Sequence, residues 1–356
     1  MPNWTESMQQ TFEYYTVDPG TWGDKTELKN VKSSTISWDS ESDTLGSASF
    51  ELSNTIGECY VRIYLVTIQN GIKEKFPLGT FLVQTPSTKH DGKSGSVSAD
   101  AYSPLTELKE KYPAIGYFVP EGSNAMNSVY VSTRENLRAP VVRPAHDENL
   151  SVDFIADPND TWLAFLKDLM SSVDYSFMLD ETGRVLFTHK QEIAALQHVW
   201  TFDDGNSSIL YPDVSLDRDL YGIPNVVEVA CSTSDGGTYY YRAENNDKDS
   251  PTSIYSRGRE IVYRDTNPKI TGTITQARVQ EYANLLLKEL SSVEHTITFS
   301  HGYCPVRIGD CVMLNYKKAG IENVKAKIIS QNISCTPGCP VSAKAVYSTK
   351  YWRGDK

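Results

Sequence analysis

Between about residues 10 and 103, apolar and polar residues alternate in short stretches, the period of a half-buried strand. Thr35-Ile36-Ser37-Trp38, Gly46 to Leu52 and Tyr60 to Val66 each read as one strand. The third places Val61, Ile63 and Leu65 on one face and Tyr60, Arg62 and Tyr64 on the other. Asn70-Gly71 predicts a hairpin, because both residues accept the positive φ that a tight two-residue turn needs. Phe76 to Val83 and Gly95 to Ala99 are further strands, the second entered through a hairpin at Asp91-Gly92. Several short strands at this spacing point to a barrel or sandwich.

The period then changes. Ser103 followed by Pro104 predicts the start of a short helix whose apolar side is Leu105 and Leu108. From Tyr112 to about Leu150 the pattern dissolves around Pro113, Pro120, Pro140 and Pro144. Tyr117, Phe118, Val129, Tyr130 and Val131 are interspersed there, so the segment reads as an insertion and not as a disordered linker. Asp157 and Pro158 predict the opening of a second helix, with Trp162, Phe165, Leu166, Leu169 and Val173 on one face. A hairpin follows: Ser176 to Leu179, a turn at Asp180 to Gly183, then Arg184 to Phe187.

From about Trp200 the chain is rich in strand signals again. Asn225 to Ala230 and Thr238 to Arg242 flank a turn at Asp235-Gly236; a polar loop runs from Glu244 to Pro251, and Arg259 to Tyr263 is another strand. The stretch from Thr273 to Tyr316 organises this half. Thr273 and Gln276 have capping-box spacing, and Val279, Tyr282, Ala283, Leu286 and Leu290 form a helical stripe. His295, Ile297 and Phe299 then alternate with polar residues, and Gly309-Asp310 forms a corner between two apolar segments of Pro305 to Leu314. Lys325 to Ile329 and Val341 to Ser348 complete the sheet. Phe76-Pro77-Leu78-Gly79-Thr80-Phe81 and Cys304-Pro305-Val306-Arg307-Ile308-Gly309 echo one another, a Pro and then a Gly before an apolar strand. The expected fold is mainly β with an α+β insertion: two similar β-barrel domains, residues 1–111 and 200–356, flanking a small helix-plus-hairpin module at residues 112–199.

Composition narrows the function. A length of 356 residues predicts two or three domains, and a net charge of −11 argues against non-specific nucleic-acid binding. No apolar run is long enough to span a bilayer, and Met1-Pro2-Asn3-Trp4-Thr5-Glu6 lacks the basic and apolar regions of a signal peptide, so synthesis in the cytoplasm is expected. The 21 tyrosines suit either ordinary sheet packing or an interface. Cys304 with Cys311 and Cys335 with Cys339 cluster near His295 and His301, but without a CxxC pair they read as reduced, packed thiols. The sequence contains no GxSxG, SxxK, HExxH, P-loop or dinucleotide-binding motif. Asp39/Glu41/Asp43, Asp203/Asp204 and Asp213/Asp217/Asp219 read as turn or loop acids. No catalytic, cofactor-binding or metal-ligating residue is nominated.

The order of these pieces resembles a family, the baseplate-hub or tail-tip-hub proteins of tailed bacteriophages and related contractile injection systems. The resemblance is carried by Thr35 to Trp38, Gly46 to Leu52 and Pro77 to Phe81; by Trp162 to Phe187; and by Ile223 to Val229, the helix at 276–290 and Val306 to Leu314. The segment 112–150 has no counterpart in that pattern. The resemblance implies a structural, non-enzymatic role in the virion tail tip, assembled in the host cytoplasm without a cofactor. It implies a homotrimer whose six barrels adapt a six-fold tail tube to a three-fold spike or fibre. Its partners would be tube, distal-tail or baseplate and spike proteins, with genomic DNA passing through a central channel unbound. An acidic subset including Asp39, Glu41 and Asp43 would line that channel. Two other classes compete: a receptor- or glycan-binding tail protein using Trp4, Trp22 or Trp352 as stacking platforms, and a tail-tip cell-wall hydrolase.

Overall fold

The computed structural model describes residues 2–90, 95–145, 148–232, 237–268, 270 and 274–350. It is mostly β. The first strands are β1 (Gln9–Val17), β2 (Asp24–Glu27), β3 (Val31–Asp39), β4 (Gly46–Leu52), β5 (Cys59–Gln69), β6 (Ile72–His90) and β7 (Gly95–Tyr102). The insertion contributes α1 (Thr106–Lys109), β8 (Phe118–Val119), α2 (Ala125–Asn136), β9 (Phe154–Ile155), α3 (Trp162–Ser171), β10 (Tyr175–Leu179) and β11 (Val185–His189). Then come β12 (His198–Asp203), β13 (Leu210–Arg218), β14 (Val226–Ser232), β15 (Thr238–Glu244), α4 (Ile254–Arg257), β16 (Val262–Asp265) and α5 (Gln276–Leu290). β17 (Ser292–Gly302), β18 (Cys311–Tyr316), β19 (Ile321–Ser334) and β20 (Pro340–Lys350) close the chain.

The chain divides into two compact units, residues 1–214 with 298–345, and residues 215–297 with 346–356; it passes between them inside β13, β17 and β20. In the larger unit the strands follow one hydrogen-bonded path, β2-β1-β5-β6-β7-β4-β3-β19-β20-β17-β13, with β18 branching from β19 and β12 pairing with β18. The N-terminal and C-terminal strands are joined by the antiparallel β3–β19 pair, in which Thr35 faces Ser334 and Asp39 faces Ser330. The β5–β6 hairpin turns at Asn70 (φ 51°) and Gly71 (φ 77°), as its sequence predicts. The Asp91-Gly92, Asp235-Gly236 and Trp352 expectations fall outside the described residues.

Strand β5 departs from simple alternation. Val61, Ile63 and Leu65 are buried, but so are Tyr60 and Arg62 on the opposite face, because the insertion covers it. Within the insertion, the expected aperiodic segment holds the helix α2. Its N-cap Asn124 accepts the Asn127 amide at 2.8 Å, and its buried side combines Ala125, Met126 and Val129 with Ser132 and Thr133. Small and polar residues on the inward face conceal the helical period. Helix α3 begins at Trp162 with Thr161 as its cap, later than Asp157-Pro158 predicts; residues 157–160 form a turn closed by Asp160 N–H to the Asp157 carbonyl. Similarly, α1 starts at Thr106, and Ser103 donates to the Thr44 carbonyl.

The smaller unit is a three-stranded sheet, β15-β14-β16, covered on one face by α5. Val227, Val229, Cys231 and Ala243 of the sheet meet Val279, Ala283 and Leu287 of the helix. Leu287, absent from the predicted stripe, is fully buried, while Tyr282, Leu286 and Leu290 flank that core. The cap of α5 is Thr275, which accepts the Arg278 amide; Thr273 lies outside the described residues, and Gln276 instead donates to the Tyr240 carbonyl at 2.8 Å. The expected strand at Arg259 to Tyr263 is found three residues on, at Val262–Asp265. Asp213 and Asp217 sit on β13 and not in a loop.

Candidate functional site

The β10–β11 turn builds itself first. The Asp180 carboxylate accepts the Thr182 and Arg184 amides at 3.0 and 2.9 Å, the Thr182 hydroxyl at 2.7 Å and Arg184 Nε at 2.6 Å. Gly183 closes the turn at φ +78°, a conformation that a Cβ resists; one built there would lie 2.8 Å from Thr80 Cβ.

Two arginines then grip this tip. Arg62, on β5, is buried and donates from Nε to Thr80 Oγ1 (2.9 Å), from one terminal nitrogen to Asp24 (2.8 Å), and from the other to the Trp22 and Thr182 carbonyls (3.1 Å each). Trp22 Nε1 donates to the same Thr182 carbonyl at 2.8 Å, and Thr80 Oγ1 donates to the Glu181 carbonyl. From the other side Arg307 forms a two-toothed ion pair with Glu181, one contact at 2.7 Å. Glu181 and Thr182 therefore tie the insertion to strand β5 and to the corner before β18.

That corner differs from the expectation of two strands. Residues 304–310 are a turn, and β18 starts only at Cys311. Gly309 has φ +88° and donates its amide to the Ile328 carbonyl at 2.7 Å. Asp310 accepts the Arg307 amide at 2.8 Å; burial raises its carboxyl above the ordinary carboxylate range although that bond and the Arg307 charge oppose the shift. Beside this corner a cleft of about 690 Å³ opens against α3, β10 and β11.

A second polar cluster fixes the insertion nearer α1. Buried Glu107 accepts the Tyr60 hydroxyl and, from Arg138, Nε at 2.6 Å and the backbone amide at 3.0 Å. Burial and then the Glu107 bond push the Tyr60 phenol well above its usual range. Nearby, the β8–β9 ribbon turns Val119 and Phe154 inward, with Phe154 against Phe165 at 5.5 Å. Its other face presents the cross-strand neighbours Phe118 and Ile155, which are 47% and 67% exposed; Ile115 and Val152, three residues earlier on each chain segment, are exposed as well. This is the kind of apolar surface that marks an interaction site.

The tryptophans, cysteines and acids singled out in the sequence occupy structural positions. Trp4 is buried edge-on to Phe76 and Tyr303, and Trp22 is buried against Tyr60, so neither is an exposed stacking platform. Cys304, Cys311, Cys335 and Cys339 are free, buried thiols; burial lifts all four above the usual thiol value, Cys335 to about 11. No metal-binding group of His, Cys, Asp and Glu occurs among the described residues. Asp39 caps the Glu41 amide at 2.8 Å, and Asp43 pairs with Lys109 at 2.9 Å and Lys167 at 3.6 Å, the Lys109 bond holding it below the ordinary range. Asp203 accepts the Gly205 amide at 2.8 Å and Asp219 the Tyr221 amide at 2.7 Å. Among the described residues, no helix is long and apolar enough to cross a membrane.

No protein-family model and no curated protein matches the sequence. Solved structures do match. A tail protein from Neisseria meningitidis superposes with a TM-score of 0.65 at 11% identity, covering 96% of this chain and 98% of that one. The fold is that of a phage tail protein. The 43 kDa tail protein of prophage MuSo2 from Shewanella oneidensis gives a TM-score of 0.62 at 10% identity, covering 94% and 98%. An E. coli component of the type VI secretion system, itself described as similar to the T4 bacteriophage tail proteins gp27 and gp5, gives 0.51 at 10% identity, covering 92% and 78%. The tail-protein fold therefore extends over nearly the whole chain, including the insertion that the sequence pattern left unmatched.

Proposed function

We propose that this chain is the structural hub subunit of a phage tail tip or baseplate. The observation that carries the reading is the end-to-end match to tail proteins, in which almost no length of either chain is left over. In this reading residues 1–111 and 200–356 supply two barrels and residues 112–199 the module that braces them. Three chains then present six barrels to a six-fold tube and three identical lower faces to a spike or fibre. Arg62 and Arg307 support it, because a ring that must hold its shape needs its barrels fixed relative to the module, and both arginines end on the same hairpin tip. The exposed Phe118–Ile155 ribbon face supplies apolar area for contact with a neighbour. The acidic net charge suits a lumen through which DNA slides without binding. The role is structural, with no catalytic step, and the protein is a component of the virion. A glycan-binding reading loses two of its three platforms with the burial of Trp4 and Trp22.

The test is an image and a mass. Purified protein, alone and mixed with the tail-tube protein of the same phage, is weighed by mass photometry and viewed by negative-stain electron microscopy. A three-fold ring with a central hole is expected. A monomer under both conditions overturns the reading.

A further inference from the structure

The cleft beside the Ile308–Asp310 corner is not explained by bracing alone. Its volume, about 690 Å³, falls in the range of ligand-binding clefts, roughly 300–1,000 Å³. Its walls are unusual in containing runs of consecutive strand residues, Tyr175 to Met178 of β10 and Phe187 to Gln191 around the end of β11, so the cavity follows the backbone of a ribbon. Among the described residues that ribbon is a two-stranded sheet. The phase of its ladder follows from two bonds, Lys190 N–H to the Asp174 carbonyl at 2.7 Å and Asp180 N–H to the Arg184 carbonyl at 3.1 Å. Counting in twos from either end, Ser176 and Met178 exchange bonds across the ribbon. On the outer edge of β11 Val185 already donates to the Pro140 carbonyl and accepts the Val142 amide, whereas on β10 the backbone groups of Phe177, which lines the cleft, point away from β11 with no backbone partner among the described residues. Such an edge is ready to pair with another extended chain.

The charges say which kind of chain. Lys167 shares Asp43, at 3.6 Å, with Lys109, and the Asp310 carboxylate accepts the Arg307 amide. Lys190 reaches only the Ser171 hydroxyl, at 3.3 Å, and neither it nor Lys327 has a carboxylate within ion-pair distance among the described residues. Both line the cleft, against Asp168 on its exposed rim. Leu196, Met178 and Ile308 supply apolar wall between them. We infer that this cleft docks an extended, acidic segment of a partner protein, which adds a strand to the β10 edge of the ribbon and places a carboxylate at Lys190 and Lys327. This goes beyond the hub reading and does not depend on the number of chains in the assembly.

The probes are two capped, fluorescein-labelled peptides, Val-Glu-Val-Glu-Val and Val-Lys-Val-Lys-Val, titrated with the full chain and followed by anisotropy. The acidic peptide is expected to bind at least tenfold more tightly than the basic one. The double variant Lys190→Glu/Lys327→Glu should reverse that order, and Leu196→Trp, which fills the cleft without changing charge, should abolish binding. Circular dichroism confirms that each variant is folded. Binding of neither peptide, equal binding of both, or a preference that survives the charge reversal overturns the inference. The ring test above is unaffected by any of these results.

Discussion

Replacing Arg62 with Met should loosen the β10–β11 tip before anything else. The substitution keeps most of the aliphatic stem, so the main loss is the guanidinium and its bonds to Thr80, Asp24, Trp22 and Thr182. These losses are unequal. The Thr182 carbonyl keeps the Trp22 indole, and Asp24, whose side chain is 28% exposed, keeps the Tyr64 hydroxyl at 2.7 Å and gains water. The Trp22 carbonyl has no such substitute; stranding one buried acceptor costs about 1–3 kcal/mol. Adding about 1 kcal/mol for the half-screened ion pair gives a total of about 3 kcal/mol. Because the bonds converge on one turn, the change should appear as local opening. Amide exchange of a peptide covering residues 175–189, read by mass spectrometry, should speed up by roughly 100-fold, since about 1.4 kcal/mol is a factor of ten. Asp24→Asn in the same background should then add little, because its partner has gone. Unchanged protection of that peptide in Arg62→Met would refute the claim that Arg62 holds the tip.

Three further outcomes follow from the packing. Gly183→Ala must keep φ near +78° with its new Cβ against Thr80 Cβ, and should lower the urea midpoint by the equivalent of about 2 kcal/mol; no change would mean that the turn relaxes freely. Leu287→Ala empties a fully buried site between α5 and β14–β15, and should cost about 3 kcal/mol in the unfolding of the smaller unit, with protection of residues 185–189 unchanged. His301 is buried against the Phe202 and Phe299 rings, and burial lowers its pKa from 6.5 to about 4. The unfolded imidazole then takes up a proton that the folded one refuses, so stability falls as pH drops from about 6.5 toward 4 and levels off below, by about 3.5 kcal/mol in all (2.5 pH units at about 1.4 each). His301→Phe should lose about that much less between pH 7.5 and pH 4 in urea titrations, and an equal loss in both proteins would remove His301 as the cause.

Legibility from sequence tracked the distance over which each feature is decided. The Asn70-Gly71 turn, the β10–β11 hairpin and the existence of helix α5 are set by neighbours a few residues apart, and each forms where its residues predict, although the buried stripe of α5 centres on Leu287 and not on Leu286. Helix α2 was hidden because Ser132 and Thr133 face inward, which a hydrophobic pattern reads as exposed. The Ser-Pro and Asp-Pro pairs point to starts of α1 and α3 that are too early, because such pairs also serve as turns and tertiary packing selects the turn. The grip on the hairpin tip was invisible. Arg62 and Thr182 are 120 positions apart, and Arg307 and Glu181 are 126 apart. An arginine that alternates onto the polar face of a strand looks solvated until the module that covers it is in place. The lysines of the cleft were equally silent, since Lys190 and Lys327 become neighbours of one cavity only through the fold.

The β3–β19 pair sets a timetable for the growing chain. Ser40 and Ile329, bonded just beyond that pair, are 289 residues apart. At a synthesis rate of about 5–20 residues per second, β3 leaves the ribosome roughly 15–60 s before its partner exists. Throughout that interval its outer edge is an open template for another nascent copy from the same message. Assembly yield should therefore respond to translation speed and to chaperones that shield strand edges, and a circular permutant that opens the chain elsewhere and makes β19 early should fold with less aggregation.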